Sequence, residues 1–279
     1  MTFFLPLGCG SNWQNNELRY MLRSLSRFCD FDFDVIIYGD PGCRPEWLNA
    51  NYKEFDRFYP QKALEVNNGA RFYESYFAVL SKLYLFVNSD ECPEEFVYIY
   101  DDVFLLRNIK PEDIRSWPDH AFTERSIRYF KSCVKNEKNR WPITVYKTIQ
   151  LLGKERAKFN YETHMPLIYK RDLLREMFNL FPFQDMVHPY CIATLYFNLY
   201  GGETVALMEK NNYKMCFDGS IKGVGCYTPE SVKKIEEIAK DKVWCNFNDF
   251  GLFHKKNDKY PLQEFIFITF VETSKYEQD

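Results

Sequence analysis

The run Glu95-Phe96-Val97-Tyr98-Ile99-Tyr100-Asp101-Asp102-Val103-Phe104-Leu105-Leu106 constrains the fold more than any other segment, because a strand-like apolar stretch is broken by two adjacent acids and then resumes. An ionised carboxylate is expensive to bury unless it is paired, hydrogen-bonded or bound to a metal. Two in tandem inside such a run point to a divalent cation. Oxygen-only ligation suits Mg²⁺ or Mn²⁺, which keep several waters and combine one or two protein carboxylates with substrate phosphates. The same residues also fit a strand that ends at Tyr100, with Asp101 and Asp102 as solvated turn residues before an edge strand from Val103 to Leu106.

With 279 residues the chain has ample material for a core, as one large α/β domain or two small ones. Its aromatic share of 18% is high, which favours strands, wide cores and stacking platforms. A net charge of −3 gives no footprint for nucleic-acid or anionic-membrane binding. Thr2 to Leu7 is too short and too poorly flanked to read as a signal peptide, and no stretch approaches a membrane span. Nine scattered cysteines without a Cys-x-x-Cys pair predict reduced thiols in a cytoplasmic protein, with neither a disulfide framework nor a zinc site.

Short apolar strands alternate with longer helical patterns, the signature of α/β layering around a largely parallel sheet. A strand at Thr2 to Leu7 runs into Gly8-Cys9-Gly10-Ser11-Asn12, and a helix over about Asn15 to Phe28 places Leu18, Met21, Leu22 and Leu25 on one face. A second strand, Phe33 to Tyr38, stops at the turn Gly39-Asp40-Pro41-Gly42. One long helix is expected from about Arg71 to Val87, an exposed basic excursion from Arg125 to Arg140, and helices near Ile143 to Lys158, Arg171 to Leu180, Tyr190 to Leu199 and Pro229 to Lys240. Further strands are expected at Pro166 to Tyr169 and Val243 to Phe247, with an apolar Leu262 to Phe270 before a polar tail. The expected organisation is a single domain in three parts, residues 1–110, an irregular helical excursion over 111–160, and residues 161–279.

Ligands of open α/β sheets bind beyond the carboxyl ends of the strands. Three such ends carry suggestive residues: the Gly8 to Ser11 loop, whose N–H groups and following helix start suit an anion; Asp40, an acceptor for a ribose hydroxyl or a base amide; and Asp101-Asp102. Each has a plain structural alternative as a turn. Their coincidence at one sheet edge is the stronger argument.

Several ordered blocks resemble a known family. Glu17 to Leu25 (Glu-Leu-Arg-Tyr-Met-Leu-Arg-Ser-Leu) is similar to the "ELRYSLRS" segment of the Stealth family of sugar-phosphate transferases and related bacterial and phage glycosyltransferase-like proteins. Pro45 to Asn49, Phe96 to Leu105, Tyr161 to Pro166 with its His164-Met165-Pro166, and Ser274 to Glu277 resemble further blocks in the same order. The resemblance implies a GT-A-like (Rossmann-like) α/β fold with a mostly parallel sheet, a nucleotide-diphospho-sugar donor (a UDP-sugar first), a glycan or other hydroxyl acceptor, and Mn²⁺ or Mg²⁺ on Asp101 and Asp102. In that frame His164, Asp101 and Arg19 are the candidate catalytic residues, His164 as general base or hydrogen-bond donor. Gly8, Gly10, Ser11, Arg19, Arg23, Asp40, Lys275 and Tyr276 are the candidate donor contacts, with Tyr276-Glu277 folding back over the donor.

The chain departs from the Stealth pattern where Phe3 to Gly8 replaces an Asp-containing opening strand and where Tyr100 stands in place of the family's Asn before the two acids. A later acidic block has no match around His188-Pro189-Tyr190. These departures favour glycosyl transfer over sugar-1-phosphate transfer, with a non-catalytic nucleotide-sugar-binding protein as a third reading.

Overall fold

The computed structural model describes residues 1–8, 16–66, 69–134, 139–202, 214–217, 229–247 and 261–278. In chain order the elements are β1 (Thr2–Leu7), α1 (Asn16–Phe28), β2 (Asp34–Gly39), β3 (Asn51–Glu54), α2 (Gln61–Glu65), α3 (Gly69–Phe72), α4 (Glu74–Val87), β4 (Glu95–Tyr98), β5 (Val103–Leu105), β6 (His120–Ala121), α5 (Glu124–Val134), α6 (Arg140–Leu152), β7 (Phe159–Asn160), β8 (Leu167–Lys170), α7 (Arg171–Leu180), α8 (Ile192–Tyr200), β9 (Lys214–Phe217), α9 (Pro229–Ala239), β10 (Trp244–Phe247) and α10 (Pro261–Thr269).

The main sheet has the order β3-β2-β1-β4-β8. The β1–β2, β1–β4 and β2–β3 pairings are parallel and only β8 runs antiparallel, against β4. This is the expected α/β architecture with a mostly parallel sheet. Both faces are covered, which is why β1 reads as an unbroken apolar run. Phe3, Leu5 and Leu7 point to one core with the α1 residues Leu18, Met21, Leu22 and Leu25, while Phe4 points to the other. On that second side Phe4 stacks on Phe86 of α4 at 4.0 Å between ring centroids. The first core also takes in β5, β10 and Phe265, Ile266 and Phe270 of the α10 region, and the second takes in α6, α7 and α8.

Several expectations shift. The helix expected over 71–87 is two pieces, α3 and α4, separated at Tyr73. The basic segment expected as an excursion contains helix α5, whose Phe130 is buried and meets Trp141 edge-on at 5.7 Å. β3 is an unexpected polar edge strand, paired to the carboxyl half of β2. Tyr52 of β3 lies so close to Gly39 that a Cβ there would collide with the phenol ring. The prediction of wholly reduced cysteines fails at Cys43, which is disulfide-bonded; Cys29, Cys92, Cys133, Cys191 and Cys245 are free. Among the described residues no helix is long and apolar enough to cross a membrane.

Candidate functional site at the carboxyl edge of the sheet

Parallel pairing brings three strand ends to one edge. β1 and β2 run in register from Thr2↔Asp34 to Leu7↔Gly39, and β4 lies beside β1 with Phe4 opposite Tyr98. Leu7-Gly8, Gly39-Asp40 and Ile99 to Asp102 therefore leave the sheet side by side.

A lysine that the sequence reading did not single out ties two of these ends together. Lys82 is 2% exposed, and its Nζ donates to the Leu7 carbonyl at 2.6 Å and lies 2.8 Å from Asp40 Oδ1. The other Asp40 oxygen accepts from Arg57 Nη2 at 2.7 Å and Nε at 3.0 Å, and Arg57 in turn reaches Glu74 at 3.1 Å. Burial alone pushes the Asp40 carboxyl up, but the Arg57 and Lys82 hydrogen bonds outweigh it and hold the group below the ordinary carboxylate range. Burial likewise pulls Lys82 down, with Asp40 and then Asp101 acting against it. The carboxylate expected to receive a ribose hydroxyl is thus engaged by cations on both oxygens. The sequence did hold a signal for Lys82, a single charge on the otherwise apolar stretch from Phe77 to Val87.

Asp101 and Asp102 form the turn between β4 and β5, strands that belong to different sheets. Both are partly exposed, so the argument from two carboxylates buried within one strand does not hold. β4 ends earlier than expected, at Tyr98, and β5 is an edge strand of a second sheet. Asn246 of β10, fully buried, steadies the turn by donating from Nδ2 to the Asp102 carbonyl at 3.3 Å. Among the described residues no group of three or more His, Cys, Asp or Glu assembles into a metal cluster. A lone pair of adjacent carboxylates fits an Mg²⁺ or Mn²⁺ whose remaining ligands are phosphate and water.

Beside this turn stands the segment 160–166. Its backbone is strapped to α8: Tyr161 N donates to Thr194 Oγ1 at 2.9 Å, Thr194 Oγ1 donates to Asn160 Oδ1 at 2.9 Å, and Glu162 N donates to the same Asn160 oxygen at 3.3 Å. The tight path ends at His164, which has φ 49° and is the one non-glycine residue with positive φ among those described. A side chain held in the left-handed region marks a place where the surrounding structure over-determines the backbone, as at functional sites. The His164 side chain is exposed, and its ring lies 5.8 Å from that of Tyr100, the residue immediately before the two acids.

Glu162, two residues earlier, was not singled out from the sequence. Burial pushes its carboxyl up to about 7, although the N–H groups of Thr194 and Ala193 in the first turn of α8 donate to it and oppose the shift. Only its place within the Tyr161 to Pro166 block marks it in the sequence.

The remaining candidates lie elsewhere or are otherwise engaged. Gly8 ends β1 at this edge and is exposed, while Gly10 and Ser11 lie outside the described residues. Arg23 forms a two-pronged pair with Glu277, Nε to Oε1 and Nη2 to Oε2, both at 2.8 Å. Arg19 lies 3.5 Å from Glu277 Oε2 and over the Trp47 ring at 4.6 Å. Lys275 Nζ and the Tyr276 hydroxyl donate to the Phe33 carbonyl at 2.8 and 3.0 Å, at the amino end of β2 and so at the opposite edge of the sheet. The tail therefore folds back on α1 and on the 47–49 segment, where Asn49 N donates to Tyr276 O and Gln278 N to Trp47 O. The expectation that Tyr276-Glu277 covers the donor meets a structural clasp instead.

No protein-family model matches the chain, and no curated protein matches it in sequence. Among solved structures it is similar to mouse xyloside xylosyltransferase 1 in its apo form, at 10% identity and a TM-score of 0.39, over 89% of this chain and 98% of that chain.

Proposed function

We propose that the chain is a metal-dependent glycosyltransferase that moves a sugar from a nucleotide-diphospho-sugar, a UDP-sugar first, to a glycan or other hydroxyl acceptor. The observation that carries this reading is the gathering of Asp101-Asp102, the Lys82–Asp40–Arg57 network and the strained His164 around the carboxyl end of a parallel sheet. The resemblance of Phe96 to Leu105 and of Tyr161 to Pro166 to blocks of the Stealth and glycosyltransferase-like proteins supports the same chemistry and a GT-A-like fold.

In this reading Asp101 and Asp102 hold Mn²⁺ or Mg²⁺, which when bound neutralises charge on the departing diphosphate. His164 donates a hydrogen bond to a phosphate oxygen as that charge develops, from a position its backbone fixes in advance. Lys82 and Arg57 keep Asp40 ionised and the ends of β1 and β2 in place, so that donor binding meets a preformed edge.

The test is product analysis with UDP-glucose, UDP-galactose, UDP-N-acetylglucosamine and the matching GDP- and ADP-sugars, in Mn²⁺ or in chelator. Metal-dependent release of nucleoside diphosphate, lowered about 100-fold in Asp102→Asn, or about 2.7 kcal/mol of barrier, is the expected result. Nucleoside monophosphate would move the assignment to sugar-1-phosphate transfer, and donor binding without any product to a nucleotide-sugar-binding protein.

His164→Gly separates role from packing. Glycine accepts positive φ freely, so the variant is expected to unfold within about 1 kcal/mol of the wild type in urea while releasing product about tenfold more slowly. A loss of stability with unchanged turnover would make His164 a structural residue.

A further inference from the structure

The basic segment that packs as α5 and the start of α6 takes no part in the chemistry above. Between His120 and Asn160 the sequence holds ten lysines and arginines against three acids, in a chain whose net charge is −3. Arg125, Arg128 and Lys131 are exposed on α5, as is Arg140 at the start of α6. Among the described residues none of these four is in an ion pair.

Aromatic rings lie among these cations. Phe130, buried beneath α5, has Tyr129 at 5.5 Å, Trp141 at 5.7 Å and His120 at 6.4 Å between ring centroids. Tyr129 is 55% exposed, and Trp141 and His120 are partly exposed. His120 Nδ1 is 2.8 Å from Asp119 Oδ2, which adds hydrogen-bonding groups at one end of the patch. Ring surfaces beside a few polar groups suit a sugar, whose C–H faces are apolar and whose edges carry hydroxyls.

The patch adjoins the candidate site at both ends. His120 of β6 pairs with Asn160 of β7, and Asp119 N donates to the Asn160 carbonyl at 2.6 Å, so the His120 end is fixed to the segment that carries His164. At the other end the Arg140 guanidinium lies over the Phe72 ring at 5.0 Å. Phe72 comes two residues before Glu74, which meets Arg57 and through it Asp40. Arg140 and Glu162 also act with opposite sign on the one phenol of Tyr76, which places the cation within electrostatic reach of the 161–164 turn.

We propose that α5 and the start of α6 form the acceptor subsite, and that the acceptor is a glycan built of uronic acids. The inference rests on the glycosyl-transfer reading above and names its second substrate. Cations without counter-ions on an otherwise acidic chain attract anions. Their spacing selects the kind of anion. They are spread over two helices and do not gather on one point as a phosphate clamp does, which fits single carboxylates repeated along a chain. Asp119 and Glu162 at the inner end of the patch act against a doubly charged group there. A polyuronate supplies ring faces for Tyr129 and Trp141, one carboxylate per acidic sugar for the cations, and a hydroxyl for the transfer. In that step the hydroxyl oxygen bonds to the anomeric carbon and its proton passes to solvent. The bond from that carbon to the diphosphate breaks, and its electron pair leaves with the nucleoside diphosphate.

The experiment measures binding to the full chain by titration calorimetry. Its probes are hexamers of galacturonic acid, of mannuronic acid and of hyaluronan, the methyl ester of each, and a single-stranded DNA of similar charge. An ester keeps the shape of its hexamer and removes the charge. Expected is at least one acid hexamer that binds about tenfold more tightly than its ester and accelerates nucleoside diphosphate release from the UDP-sugar that gives the fastest release in the panel above. Arg140→Gln should weaken that hexamer about fivefold and the double variant Arg125→Gln/Arg128→Gln about tenfold, each with UDP affinity within twofold of the wild type. All three arginines are exposed, and glutamine keeps the helix propensity, so the variants are expected to fold. Acid and ester that bind alike, hexamers that do not bind, or hexamers that bind and leave the release rate unchanged overturn the acceptor subsite while glycosyl transfer stands. DNA that binds more tightly than every hexamer makes the patch a nucleic-acid surface and overturns it too. If no donor yields nucleoside diphosphate, the transfer reading falls and the acceptor role with it, whatever the hexamers bind.

Discussion

Replacing Lys82 by methionine is expected to lower the unfolding free energy by about 3–5 kcal/mol, the range for removing one partner of a buried ion pair. Its side chain is 3% exposed and that of Asp40 5%, so solvent screens little of the interaction. The substitution takes the lysine from a nearly buried carboxylate that keeps Arg57 and strips the Leu7 carbonyl of its donor at the end of β1. Methionine fills most of the volume, which keeps the measurement electrostatic rather than a matter of packing. Urea unfolding at pH 7 reads the effect as a lower midpoint with an unchanged slope. The pH dependence follows from Asp40. Its folded carboxyl is held below 3.8, the ordinary value, so its contribution is present above that value and is lost as pH falls through the folded one. Lys82→Met should flatten that acid limb, and the double variant with Asp40→Asn should lose less than the sum of the singles. A loss under about 1 kcal/mol would show that the pair merely balances its own desolvation.

What the sequence made legible divides along physical lines. β1 and α7 were readable to the residue because each is bounded locally, β1 by Gly8 and α7 by the switch from Lys170 to a helical period that ends before Phe181-Pro182. β3 was not, because Asn-Tyr-Lys-Glu carries no apolar alternation and becomes a strand only by pairing with β2. The strand-end acids were visible because turns at strand ends follow from local pattern. Lys82 showed only as a single charge in an apolar stretch, and Glu162 only as a member of its block, because tertiary packing decides which lysine in a helix is buried and which glutamate lies under a helix start. The ordered motif blocks held a different lesson. Three of them, 17–25, 45–49 and 274–277, meet one another in the clasp, so much of what looked like donor-binding signature holds the chain together.

That clasp yields the other large expected effect. Glu277 takes both prongs of Arg23 at 2.8 Å and accepts from Ser274 N at 2.9 Å and Ser274 Oγ at 3.1 Å, with its side chain 8% exposed. Two-pronged arginine–carboxylate pairs combine charge with fixed geometry, and here the carboxylate also closes the turn that leads Tyr276 under Phe33. Glu277→Ala leaves Arg23 partly buried without its counter-ion and the Ser274 N–H without its acceptor, for an expected loss of about 3 kcal/mol. Burial pushes the Glu277 carboxyl up, but Arg23 and Ser274 hold it below the ordinary value of 4.5. The stabilisation is therefore present above 4.5 and disappears as pH falls through the folded value, so wild type and variant should converge in acid. UDP affinity is the discriminating measurement. Because Lys275 and Tyr276 anchor at the amino end of β2, Glu277→Ala and a chain ending at Val271 should both lose stability and bind UDP, where folded, within twofold of the wild type. A tenfold fall in UDP affinity with stability intact would return the tail to the donor site and make the clasp a lid.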